Sequence, residues 1–215
     1  MTPYYQDDSC TIYHGDCREI APRLTDDCAV VSDPPYGMDW DTDTRRFSGG
    51  SDESRHKRGA GARAPRVIAD DGPFLPGPWL DYREVILWGA NHYAARLPVG
   101  STLVWIKRND AAFGSFLSDA EIAWMRGGHG VYCYRDLSLA GEARRRLHPT
   151  QKPVGLMSWC ISKTRAAIIL DPFMGSGTTL RAAKDLNRRA IGIELDEAYC
   201  EIAAKRLGQE VLALA

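Results

Sequence analysis

A chain of 215 residues, 44% hydrophobic and 26% charged, has the proportions of one globular domain, which excludes collagen-like, coiled-coil and mostly disordered chains. A formal net charge of -1, from 27 basic and 28 acidic residues, excludes a non-specific polycation but leaves room for a local basic face. No apolar run approaches ~20 residues and the polar, acidic start is wrong for a signal peptide, so neither a membrane span nor secretion is expected and a cytoplasmic protein is.

In chain order, Thr11 to Tyr13 reads as a short strand, Asp16 to Leu24 as a short helix and Ala29 to Ser32 as a second strand. Asp33-Pro34-Pro35 must end that strand, because successive prolines join neither a ladder nor a helix interior. The apolar runs Val85 to Trp88, Thr102 to Ile106, Ala167 to Leu170 and Ala190 to Ile193 predict strands buried on both faces. Helical patterns cover Asn91 to Leu97, Pro153 to Thr164, Thr178 to Leu186 and Asp196 to Leu207. Strands alternating with helices predict an α/β fold with a mostly parallel twisted sheet and helices on both faces. Gly37 to Pro78 breaks the pattern: few aliphatic residues, many Gly and Pro, no periodicity, as in a functional loop. The six cysteines form no C-x-x-C pair and sit mostly beside aliphatic residues, so buried free thiols are expected and no metal site.

Asp171-Pro172-Phe173-Met174-Gly175-Ser176-Gly177-Thr178 follows a predicted strand and opens a helix. Glycines there let backbone N–H groups approach a ligand beside the positive end of the helix dipole. The next strand ends in Glu194-Leu195, the acid expected ~20 residues after such a turn to hold ribose hydroxyls. A tight turn with an incidental acid is the plainer alternative. Thr178 follows Gly177 where a P-loop needs lysine, and Leu180 stands where the dinucleotide fingerprint needs its third glycine. A nucleoside without polyphosphate fits better, and S-adenosylmethionine is such a nucleoside.

Asp33-Pro34-Pro35-Tyr36 stands at a strand's C-terminal end, where open α/β sheets bind ligands. An exocyclic base amine is a poor nucleophile because its lone pair is delocalised into the ring. Acceptors aimed at its N–H bonds restore the lone pair, and the Asp33 carboxylate and the Pro34 carbonyl supply them. Tyr36 offers a flat face for an extruded base. A strand terminator with a capping Asp is the alternative for the tetrapeptide alone.

Together these motifs resemble the amino-methyltransferases of bacterial and phage DNA, with their D-P-P-Y tetrapeptide and F-x-G-x-G cofactor loop. The catalytic motif comes first, the order of that family's permuted β-type group, and Trp88 to Asn91 and Val104 to Arg108 look like its small phage and prophage members. Tyr13 to Cys17 resembles the segment whose acid approaches the cofactor's adenine, implying roles for Asp16 and Cys17; Asp16 also has N-cap spacing. His148 to Pro153 resembles the H-P-T-Q-K-P segment at the methionine end, implying Thr150 and Lys152. The resemblance implies a Rossmann-like S-adenosylmethionine-dependent methyltransferase fold. It also implies Asp33, Asp171, Phe173, Gly175, Ser176, Gly177, Thr178, Glu194 and Leu195 around the cofactor, and Asp33, Pro34, Pro35 and Tyr36 at the reaction. The Asp form of the tetrapeptide favours N6-adenine over N4-cytosine, by family association alone. The rivals are an RNA amino-methyltransferase, an enzyme acting on a protein side-chain amide (such enzymes usually carry Asn where this chain has Asp33), an inactive cofactor- and DNA-binding regulator and a nicotinamide oxidoreductase.

The implied substrate is double-stranded DNA, which makes the protein nucleoid-associated. From Asp41 to Arg66 basic residues outnumber acids by seven to four. Arg45, Arg46, Arg55, Lys57 and Arg58 in that stretch, with Arg108 and the Arg144-Arg145-Arg146 cluster, are candidates for phosphate contacts. The domain is read as one catalytic unit, 1–215, with a flexible basic loop at about 37–78, ordering when DNA or cofactor binds, and a small recognition insert at about 109–147. The resemblance leaves open a homodimer and a restriction endonuclease partner.

Overall fold

The computed structural model describes residues 1–25, 27–39, 70–114, 118–138 and 151–209. Among these, the strands are β1 (Tyr5–Gln6), β2 (Cys10–His14), β3 (Ala29–Ser32), β4 (Glu84–Trp88), β5 (Gly100–Ile106), β6 (Ala120–Arg135), β7 (Ile168–Asp171) and β8 (Arg189–Glu194), with apolar runs in β3, β4, β5, β7 and β8. The α-helices are α1 (Cys17–Ile20), α2 (Val154–Ile161), α3 (Thr178–Asp185) and α4 (Glu197–Leu207). One eight-stranded sheet has the order β1-β2-β8-β7-β3-β4-β6-β5. Its centre, β2-β8-β7-β3-β4, is parallel throughout. No helix among the described residues is long and apolar enough to cross a membrane.

Because successive strand residues face opposite sides of a sheet, each central strand feeds two cores. Ala29, Val31, Ile86 and Trp88 pack with Leu156, Met157, Leu180, Cys200 and Leu207 under α2, α3 and α4. Val30, Val85 and Leu87 pack on the other side with Ile20 of α1 and the aromatic residues Phe74, Trp79 and Tyr93. Full burial of each aliphatic side chain stabilises the fold by about 1.5–3 kcal/mol. Phe74 lies in the stretch 37–78 and Trp79 directly follows it, so its described end is core as well as loop. Its two described ends are pinned together: the backbone N–H groups of Gly37 and Met38 donate to Asp70 Oδ1 at 2.7 and 3.2 Å.

One expectation is corrected. Asn91 to Leu97 forms two 3-10 turns, Ala90–His92 and Ala94–Arg96, with no α-helix; so short a segment, bounded by Gly89 and Pro98, cannot complete several turns of α-helix. Within the span 109–147, where a small recognition insert is expected, Ala120–Arg135 forms β6 of the sheet. The first half of β6 lies between β4 and β5, antiparallel to both (Leu87↔Trp124, Leu103↔Ala123). Its second half pairs with β5 in the parallel sense (Thr102↔Val131, Ile106↔Arg135). The chain turns back at Gly127 and Gly128, whose φ values of 82° and 65° suit residues without a Cβ. Five of the six cysteines are buried free thiols, as expected, and Cys133 on the second half of β6 is exposed.

The turn between β1 and β2 is closed by Asp7. Its Oδ1 accepts from the backbone N–H groups of Ser9 and Cys10 at 2.8 and 2.6 Å, and its Oδ2 from Lys184 Nζ at 2.6 Å. Burial opposes its ionisation, but these donors outweigh burial and lower its pKa from 3.8 to about 2. The stabilisation is therefore present above pH ~4 and is lost as pH falls through about 2. Asp7→Ala is expected to lower unfolding free energy by about 2 kcal/mol at pH 7, the deficit narrowing as both proteins are acidified, in urea melts at several pH values.

Candidate active site

Five neighbouring parallel strands bring their C-terminal ends to one sheet edge, where such sheets bind ligands. Asp16 follows β2, Asp33 follows β3, Gly89 follows β4, and Asp171 and Glu194 end β7 and β8. They border one cleft of about 1440 Å³. Strand connections diverge between β3 and β7, and there Ser32 Oγ donates to Asp171 Oδ1 at 2.5 Å. Burial pushes Asp171 up to about 6, although Ser32, Thr179 and the Phe173 N–H all donate to it.

The glycine loop sits on this edge. Gly175 and Gly177 have φ of 50° and 75°. Gly177 is the N-cap of α3 and has no side chain to bond the helix's first N–H groups. Glu194 Oε2 accepts from Gly175 N at 2.9 Å and Oε1 from Asp196 N at 2.9 Å, so the acid expected at ribose hydroxyls here braces the loop. Burial raises its pKa against those donors. Asp16, on the adjacent strand end, caps α1 by accepting from Arg18 N at 2.8 Å and also binds the Arg18 guanidinium. Cys17 is buried, Leu195 is exposed, and both line the cleft with Ser176 and Thr178. Phe173 stands edge-on to Phe74 and Trp79, centroids 5.7 and 5.5 Å away. Two acids at neighbouring strand ends, an aromatic wall and a helix N-terminus without a side-chain cap fit a nucleoside carrying a sulfonium.

Across the cleft, Asp33 is held from both sides. Tyr36 donates its hydroxyl to Asp33 Oδ1 at 2.5 Å, and Lys152 Nζ donates to Oδ2 at 2.6 Å. The second partner of Lys152 is Glu121 Oε2 at 3.0 Å, and Lys107 Nζ donates to Glu121 Oε1 at 2.8 Å. Burial raises the Asp33 pKa and wins over Lys152, which acts to lower it. Burial likewise opposes the charge on Glu121 and Lys152, but there the partners win: Glu121 falls to about 2 and Lys152 rises well above its usual range. Tyr36 stacks on His92, ring centroids 4.8 Å apart at 12°. Pro34 and Pro35 line the cleft beside them.

The structure thus gathers Asp16, Asp33 to Tyr36, Lys152, Asp171 to Ser176, Thr178 and Glu194 at one cleft that Arg108 also lines; Gly177 caps α3 behind that lining. It places Lys152 on Asp33. Thr150 and the basic residues Arg45, Arg46, Arg55, Lys57, Arg58, Arg144, Arg145 and Arg146 lie outside the described residues. Sequence reasoning missed Glu121, His92 and Arg206, whose Nη1 bonds Thr178 Oγ1 at 3.0 Å from α4. None of the three belongs to a local motif; each reaches the site only through the fold.

Residues 131–205 match the N6_N4_Mtase family model, described as DNA methylase. The type II methyltransferase M.HpaI of Haemophilus parainfluenzae is 47% identical over 84 residues, 38% of this chain and 24% of that protein. The chain spans under half the length of the curated relatives it matches. Among solved structures, the M1.HpyAVI–SAM complex aligns at TM-score 0.56 and 23% identity, over 92% of this chain and 99% of that one. The cytosine-N4-specific PvuII DNA methyltransferase aligns at 0.59 and 14%, over 98% and 90%. The fold is the Rossmann-like fold of S-adenosylmethionine-dependent methyltransferases. The sequence matches support a DNA amino-methyltransferase family.

Proposed function

We propose that the chain methylates the exocyclic amine of a base extruded from double-stranded DNA, adenine N6 first, as a member of the permuted β-type group. The observation that carries this reading is the placement of Asp33, with its anchoring partners, on the same cleft as the Phe173–Gly177 loop and Glu194. S-adenosylmethionine, held by that loop, Asp16 and Glu194, would supply a methyl group on a positively charged sulfur.

The chain's own residues act on the amine. Asp33 has both oxygens anchored, yet each carboxylate oxygen keeps a further lone pair for an amine N–H. Accepting that N–H localises the lone pair on nitrogen, and the proton released after transfer has a buried carboxylate of raised pKa to receive it. The Pro34 carbonyl is the second acceptor. Tyr36, fixed by Asp33 through its hydroxyl and by His92 through its ring, is a preorganised stacking surface.

Digestion of the methylated product to nucleosides identifies the base. N6-methyladenine is the expected product; N4-methylcytosine would keep the chemistry and overturn the base. Methylation of RNA with none of DNA would overturn the substrate.

A further inference from the structure

The reading above gives Glu121 no role, yet it bridges two lysines, Lys107 and Lys152, in a connected charged group. Lys107, Glu121, Lys152, Asp33 and Tyr36 form one chain of contacts from β5 to the cleft. Lys152 is only 5% exposed, and its ammonium faces the Trp88 ring at 5.9 Å. An ammonium has three N–H bonds. Asp33 Oδ2 at 2.6 Å, Glu121 Oε2 at 3.0 Å and the Tyr36 hydroxyl at 3.4 Å supply an oxygen for each. No donor is left over for a cofactor carboxylate.

We propose that Lys152 and Glu121 are positioning residues for Asp33, the lysine fixing where its carboxylate points and the glutamate dividing the lysine's charge between two acids. The proposal rests on the reading of Asp33 as the acceptor for the target amine. A carboxylate that alone held a buried ammonium would be neutralised too well to draw a hydrogen from an amine; one with no ammonium would take up a proton in its buried site and lose its acceptor. Glu121 sets the charge between these extremes. The other groups facing Asp33 are Tyr36 on its own loop, Asp171 at the end of β7 and Tyr93, with Lys107 acting through Glu121.

The two variants therefore act in opposite senses. Lys152→Met leaves Asp33 buried beside Glu121 without a cation, so its carboxyl holds its proton to higher pH. Glu121→Gln removes the acid that raises Asp33 and leaves the lysine to it, so the carboxyl loses its proton at lower pH. In full-length protein, the acidic limb of kcat is expected to move up by about one pH unit or more in Lys152→Met and down in Glu121→Gln. The KM for S-adenosylmethionine should stay within about twofold, and Lys152→Arg should restore part of kcat. Carbon-13 NMR of aspartate-labelled protein follows the Asp33 carboxyl directly, without turnover. Opposite displacements in the two variants support the pairing. A Lys152→Met protein that raises KM for the cofactor with its acidic limb in place overturns it. So does a carboxyl that titrates at one pH in all three proteins. If wild type transfers no methyl group, the functional reading falls and the NMR titration alone decides the pairing.

Discussion

Asp33→Asn is expected to lower methyl transfer by about 10²- to 10⁴-fold while the protein stays folded and still binds S-adenosylhomocysteine. The loss follows from what surrounds the side chain. Both Asp33 oxygens accept hydrogen bonds, one from Tyr36 and one from Lys152. An amide of the same shape has one acceptor oxygen: with its NH₂ toward Lys152 the ammonium loses that bond, and with its NH₂ toward Tyr36 the hydroxyl must turn from donor to acceptor. The charge that localises the amine lone pair is lost either way, and Lys152 keeps Glu121 as its one carboxylate partner. The proposed cofactor contacts lie across the cleft on the Phe173–Gly177 loop, so calorimetry with S-adenosylhomocysteine should give nearly the wild-type affinity. Unchanged turnover would remove Asp33 from the chemistry.

Gly89→Ala is expected to cost about 100-fold in kcat, through Tyr36, with cofactor affinity nearly intact. Gly89 follows β4 and has φ of 75°, a conformation that costs an L-residue about 1–2 kcal/mol. The larger effect is steric. A Cβ at Gly89 would stand 2.0 Å from Tyr36 Cε1 and 2.4 Å from its Cζ, so the ring must leave. Displacing it breaks the hydroxyl bond to Asp33 and the stack on His92 together. Tyr36→Phe, which keeps the ring in place and loses only the hydroxyl, should lose less than Gly89→Ala. Thermal melts separate the effect from unfolding. Full activity in Gly89→Ala would show that the placement of Tyr36 is not used.

The parts of the site that the sequence makes legible are those where a local motif coincides with a strand end. Asp33-Pro34-Pro35 both terminates β3 and carries the carboxylate, and the glycines of Phe173–Gly177 are required by the backbone of the turn itself. The parallel centre of the sheet was readable for a similar reason, since β3, β4, β7 and β8 are short apolar runs buried on both faces. β6 was not. Its glycines, histidine and arginines lack a single period because the chain turns back at Gly127 and Gly128 and most of the second half is exposed, with no alternating buried face. Glu121 was invisible with it: an isolated acid on an unrecognised strand acquires its role only when the sheet and the segment before α2 bring Lys107 and Lys152 to its two oxygens. The roles of Lys152 and Glu194 were read from motif position, whereas their actual partners are set by which neighbouring groups the closed fold leaves within reach.

The measurement that bears most directly on the central claim is transfer of labelled methyl from S-adenosylmethionine to unmethylated double-stranded DNA, with Asp33→Ala alongside. Label in DNA from wild type, and none from a folded Asp33→Ala that still binds S-adenosylhomocysteine, is the predicted result. No label from a folded, cofactor-binding wild type, or equal label from both proteins, would contradict the account.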